Sequence, residues 1–135
     1  MKVILAHVMA RLIPTLRIPN GVNPHFLSRD PEVVKAYQAD PLIHRMLTAR
    51  CAVALQHAIR KAQEIPNRLK IPCLVLQAGL DRICNPEAAA RFAQAVPHRL
   101  ATFRRYENLH HELFNEPERA QVMEDLFRWI EGVLR

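Results

Sequence analysis

Two groups suited to proton transfer stand in the second half of the chain, each just past a short apolar run. Ile71-Pro72-Cys73-Leu74-Val75-Leu76 leads into a turn holding Asp81. Ala101-Thr102-Phe103-Arg104-Arg105-Tyr106 leads into His110-His111-Glu112. If both runs are neighbouring parallel strands, their C-terminal loops reach one sheet edge, where open α/β sheets hold ligands and catalytic groups. An acid after one strand and a histidine after the next is the back half of a Ser-Asp-His order. The carboxylate would orient the imidazole and stabilise it once charged. Singly, each residue has a plainer reading: a loop Asp satisfying backbone N–H groups, and a solvated histidine. Their coincident placement brings the paired reading level with these plainer ones. Spacing alone does not choose between His110 and His111.

The nucleophile such a pair would serve is not evident. The chain has one serine, Ser28, in Leu27-Ser28-Arg29, with no flanking glycine. Cys84 lies just past Asp81 but on no strand-turn-helix elbow, and reads as a packing residue. His110-His111-Glu112-Leu113-Phe114-Asn115 lacks a second histidine four residues after the first, so no metal centre is expected, and no cofactor.

The elements that must position these groups follow from periodicity and stop signals. Residues from about Lys2 to Ile13 read as a helix stopped by Pro14. A proline-punctuated loop runs from Thr15 to Phe26. Asp30-Pro31-Glu32 starts a brief helix to about Tyr37, with Asp as cap and Pro in the first turn. Asp40-Pro41 repeats that signal and predicts a longer helix to about Gln63. Leu42, Met46, Ala49 and Val53 form its apolar row, widened by Ile43, Leu47, Leu55 and Ile59. The pattern then changes. Cys73 to Leu76 is continuous and apolar, as in a strand buried on both faces. A helix from Glu87 to about Val96, a strand from Thr102 to Tyr106 and a last helix opened by Asn115-Glu116-Pro117-Glu118 complete a β-α-β-α unit. Its two strands should be parallel with a right-handed crossover. Two parallel strands leave open edges and call for further strands beside them.

Composition bounds the partners. With 135 residues, 50% apolar and 24% charged, this is an ordinary globular domain with room for a modest core. The three glycines are few for a complete open α/β domain. The net charge of +6 reads first as a solvated, arginine-heavy surface, with an acidic substrate or a membrane surface as the alternative. Its basic residues come singly or in pairs without interleaved aromatics, which argues against nucleic acid. Three cysteines, none at CxxC spacing, suggest reduced thiols and a cytoplasmic location. The start is interrupted by His7 and Arg11 and makes a poor secretion signal. No apolar run is long enough for a transmembrane segment.

Leu74-Val75-Leu76-Gln77-Ala78-Gly79-Leu80-Asp81-Arg82-Ile83, with Tyr106-Glu107-Asn108-Leu109-His110-His111-Glu112-Leu113-Phe114-Asn115-Glu116, resembles the C-terminal part of the α/β-hydrolases grouped as monoacylglycerol lipase, lysophospholipase and serine aminopeptidase relatives. Leu12-Ile13-Pro14-Thr15-Leu16, Leu27 to Val34 and Tyr37 to Leu42 resemble the same group's cap, which covers an acyl-binding pocket. The resemblance implies a fragment of an α/β-hydrolase fold: a helical cap segment over residues 1–69, then a β-α-β-α part of the core over residues 70–135. It implies Asp81 as triad acid and His111, directly before Glu-Leu-Phe-Asn-Glu, as triad base. The group's G-x-S-x-G elbow and oxyanion-hole motif have no counterpart in these residues. A serine-type ester hydrolase acting on a lipid-like substrate, inactive through this portion alone, is therefore expected. Pairing with the missing N-terminal half or self-association through strand edges would complete the sheet. A non-catalytic interaction module, or another activity of the fold such as epoxide hydrolysis, dehalogenation or peptide cleavage, are the competing expectations.

Overall fold

The computed structural model describes residues Lys2–Arg135, with Lys2–Leu5 as backbone alone. The described chain forms two compact units. One comprises residues up to Val22 and Leu42–Ile65, the other Asn23–Pro41 and Pro66–Arg135.

In the first unit, helix α1 (Lys2–Leu12) packs on helix α3 (Ala49–Glu64). A short antiparallel ribbon pairs β1 (Arg17–Pro19) with β2 (Met46–Thr48), in register Ile18 to Leu47. The ribbon corrects the helix expected over Asp40 to Gln63. Asp40 ends the preceding helix instead of starting a new one. Met46 to Thr48 is drawn into pairing with residues far back in the chain, a preference no local pattern encodes. Helix α3 then starts under its own cap, Thr48, whose Oγ1 accepts the Cys51 N–H at 3.1 Å. Ala49 is buried, whereas Leu55 and Ile59 of the expected apolar face are more than half exposed.

In the second unit, helix α2 (Pro31–Ala39) begins as its sequence requires: the Asp30 carboxylate accepts the Glu32 N–H at 2.9 Å. Strands β3 (Cys73–Ala78) and β4 (Ala101–Tyr106) lie parallel, joined by helix α4 (Pro86–Ala95). Cys73 faces Ala101 and Ala78 faces Tyr106 in the register. Helix α4 is capped by Asn85, which accepts the Glu87 N–H at 2.9 Å. The core gathers Ala78, Tyr106, Leu109, Leu113 and Val122 around the strand ends. Helix α5 (Arg119–Leu134) is tied to β4 by side chains. Tyr106 Oη donates to Asp125 Oδ2 at 2.9 Å, and Trp129 Nε1 donates to Thr102 Oγ1 at 3.1 Å. Burial, then the Asp125 carboxylate, pushes the Tyr106 hydroxyl up to about 12.

Two expectations for this unit are corrected. Strand β3 is not buried on both faces: Cys73 to Leu76 are half-buried, and only Gln77 and Ala78 are buried. One partner strand and one crossover helix cannot cover both faces of a parallel pair. The last helix does not open at Asn115-Glu116. Leu113–Asn115 form a 3₁₀ turn, the Glu116 side chain is buried, and the helix starts at Arg119, with Glu118, the last residue of the expected start, at its N-cap. Residues 23–41 pack with residues 66–135 in this unit.

Candidate active site

The turn after β3 is built by close approach. Gly79 donates its N–H to the Tyr106 carbonyl at 2.8 Å, and Leu80 donates to the Leu109 carbonyl at 3.1 Å. A Cβ on Gly79 would stand 2.4 Å from the Glu107 carbonyl oxygen and 2.6 Å from its Cα. Only glycine lets the two loops converge here. The turn then closes on its own carboxylate. Asp81 Oδ1 accepts the N–H groups of Ile83 and Cys84, each at 2.8 Å. Gln77, buried at the end of β3, donates its amide to Oδ2 at 3.3 Å.

The loop after β4 brings His111 to the same carboxylate, with Nδ1 2.8 Å from Asp81 Oδ2. The Asp81 side chain is 4% exposed and that of His111 is 31% exposed. Burial pushes the Asp81 carboxyl up. The hydrogen bonds from His111, Cys84 and Ile83 outweigh it and hold the carboxyl below its ordinary range. An ionised carboxylate only accepts, so Nδ1 must carry the proton of the neutral imidazole and Nε2 keeps its lone pair. That is the tautomer a general base requires.

Spacing could not separate the two histidines, and the geometry does. His111 reaches Asp81, while His110 Nδ1 is buried without a hydrogen-bond partner. Cys84 is exposed rather than packed. Partial burial, then the Asp81 charge, raises its thiol, so it is not an activated thiolate. Ser28 is not poised as a nucleophile either. It is 2% exposed, and its hydroxyl is shared between Glu116 Oε1 at 2.8 Å and the Asn115 carbonyl at 2.9 Å.

That bond belongs to a clasp that sequence reading did not find. Glu116 is fully buried. Its Oε1 also accepts the Arg29 N–H at 2.6 Å, while Oε2 pairs with Arg29 Nε at 2.7 Å and accepts the His110 N–H at 3.0 Å. Arg29 reaches Glu118 as well. Burial alone would raise the Glu116 carboxyl; these donors hold it below its ordinary range. Two backbone bonds lie alongside, from His111 N–H to the Phe26 carbonyl at 3.4 Å and from Glu112 N–H to the Leu27 carbonyl at 2.8 Å. Residues 26–29 thus fix the loop that carries His111. The signal was present as Ser-Arg beside an acid in Phe-Asn-Glu, but nothing local joins them. A cleft of about 330 Å³ opens beside the imidazole, lined by Leu76, His111, Leu113 and Phe114 among others.

Residues 1–118 match the family model described as serine aminopeptidase, S33. The chain is 36% identical over 132 residues to a monoacylglycerol lipase of Mycolicibacterium smegmatis, covering 95% of this chain and 46% of that protein. It is 33% identical over 113 residues to the phospholipase YtpA of Bacillus subtilis, covering 82% and 43%. A crystal structure of a monoacylglycerol lipase from Paleococcus ferrophilus superposes with a TM-score of 0.88 at 30% identity, over 95% of this chain and 50% of that one. The chain therefore spans less than half the length of the curated relatives named here.

Proposed function

The chain belongs to the serine aminopeptidase S33 family of α/β-hydrolases, and we propose that it is the acid-and-base portion of a carboxylic-ester hydrolase of the monoacylglycerol lipase and lysophospholipase kind. The observation that supports this reading is the 2.8 Å contact between Asp81 Oδ2 and His111 Nδ1 at the C-terminal ends of two parallel strands. In this reading the nucleophile is a serine on an elbow outside these 135 residues. His111 Nε2 takes its proton as it attacks the ester carbonyl. Asp81 holds the imidazole and stabilises it while charged, and His111 then returns the proton to the leaving alcohol. The cap over residues 1–69 would cover the acyl chain of a lipid-like substrate.

The portion alone should be silent. Losing a triad's nucleophile costs on the order of 10⁶ in turnover, and losing oxyanion donors roughly 10²–10³ more. Strands supplied by the complementary half would pair with the open edge of the β3–β4 sheet. The free thiols of Cys51, Cys73 and Cys84 fit a reducing, cytoplasmic setting. Among the described residues, no helix is long and apolar enough to cross a membrane. The test is hydrolysis of a short-chain nitrophenyl ester, by the chain alone and after co-expression with the N-terminal half of the M. smegmatis relative. We expect no turnover alone and restored turnover with the complement, lost in His111→Ala. Turnover that survives His111→Ala would overturn the assignment.

A further inference from the structure

Three different metal-binding side chains converge at the sheet edge. A carboxylate oxygen of Asp81, the sulfur of Cys84 and a ring nitrogen of His111 all lie within 4.8 Å of one another. The turn after β3 makes this convergence. By accepting the N–H groups of Ile83 and Cys84, the Asp81 carboxylate folds the turn over itself and carries the cysteine back to the acid. The imidazole arrives separately, on the loop after β4. No linear spacing motif would record such a group, because its members come from two loops.

Carboxylate, imidazole and thiolate are a donor set that Zn²⁺ takes tetrahedrally, at roughly 2.0–2.3 Å from each atom. Ligand atoms at those lengths stand about 3.3–3.8 Å apart, so Asp81 Oδ2 and His111 Nδ1, 2.8 Å apart in their hydrogen bond, need to part by about 0.5 Å, and the Cys84 sulfur needs to close on them by at most about 1.5 Å. The thiol argues against Mg²⁺ or Ca²⁺, which take oxygen ligands. Cys84 is exposed, giving a cation entry from solvent. The Gln77 amide on Asp81 Oδ2 supplies an outer partner that steadies the carboxylate.

We propose that Asp81, Cys84 and His111 form an inhibitory site for Zn²⁺ or a cation of similar softness, with water as the fourth ligand. The cation bonds to Asp81, to the Cys84 sulfur and to His111 Nδ1. The thiol proton leaves to solvent, and the imidazole proton moves from Nδ1 to Nε2, so the ring stays neutral but its tautomer is reversed. The nitrogen that should accept a proton now carries one. This consequence for catalysis rests on the roles proposed above for Asp81 and His111; the binding itself does not.

The experiment titrates the purified, reduced chain with Co²⁺, followed by thiolate-to-cobalt absorption, and with Zn²⁺ by calorimetry. We expect one equivalent to bind with that absorption and about one proton released per cation. Cys84→Ser should abolish the absorption and weaken binding at least about tenfold, and His111→Ala should weaken it similarly. Cys51→Ser should change neither. Absence of saturable binding, or absorption that persists in Cys84→Ser, would overturn the site. Because Cys84→Ser is isosteric and exposed, an unchanged circular dichroism spectrum shows that the variant is folded. Failure of the catalytic reading shows separately, as ester hydrolysis by the complemented chain that survives His111→Ala.

Discussion

The acid and the base at this sheet edge are held in opposite ways. Asp81 is gripped by its own neighbourhood: Gln77, Ile83 and Cys84 all lie within four residues of it. The loop of His111 is gripped from far away, by Phe26, Leu27 and the Ser28-Arg29 pair acting through Glu116, up to 88 residues distant. A short turn orders itself at small entropic cost. A long closure costs only about 0.6 kcal/mol more per doubling of length, which a buried, charge-assisted cluster offsets readily. One corner is therefore self-assembled, and the other depends on residues 23–41 docking correctly.

The contrast breaks most sharply at Glu116. Glu116→Ala removes the shared acceptor of Arg29 Nε, the Arg29 and His110 N–H groups and the Ser28 hydroxyl, and should cost about 3 kcal/mol, the low end for a broken buried pair because Arg29 is a third exposed and keeps Glu118. Urea denaturation reads the loss. Amide spectra should shift at His110 to Asn115 and stay put at Asp81 to Cys84; equal shifts in both loops would erase the distinction. Gly79→Ala strikes where the loops meet. Its Cβ clashes with the Glu107 backbone, so a loss of about 1–3 kcal/mol is expected, with the Asp81–His111 hydrogen bond disturbed in the imidazole proton spectrum. Ser28→Ala removes one hydroxyl from the clasp and should cost about 1–2 kcal/mol, with effects at the histidine loop and at Asp30, whose N–H the hydroxyl accepts at 3.0 Å, and none at Asp81 to Cys84.

Acid sharpens the comparison further. Both carboxyls lie below their ordinary values of 3.8 for Asp81 and 4.5 for Glu116. The unfolded chain thus binds more protons than the folded one in that range. Their contribution is complete above about pH 4.5 and is lost as pH falls through the lowered folded values. Denaturation midpoints should be flat with pH above that window and fall below it. Glu116→Gln should flatten part of the acid fall, and a fall of unchanged steepness would exclude Glu116 as its source.

The same division explains what could be read from the chain. Asp30-Pro31 and Asn85-Pro86 announced their helices because a cap and its N–H partner are two residues apart. Asp81 and His111 could be paired in advance because parallel neighbours share an edge. The ribbon of Met46 to Thr48 stayed hidden, since its partner strand lies at Arg17 to Pro19. Glu116 read as a helix-starting acid, since no local pattern shows its carboxylate turning inward to Arg29. Cys84 read as packing because its type, not its surroundings, was visible.

Ser28 carries one more consequence. Its oxygen is buried and committed inside the clasp, so a fluorophosphonate probe should leave this polypeptide unlabelled. Any covalent tag acquired in a mixture would then mark the incoming half, turning the chain into a dark background against which reassembly can be counted.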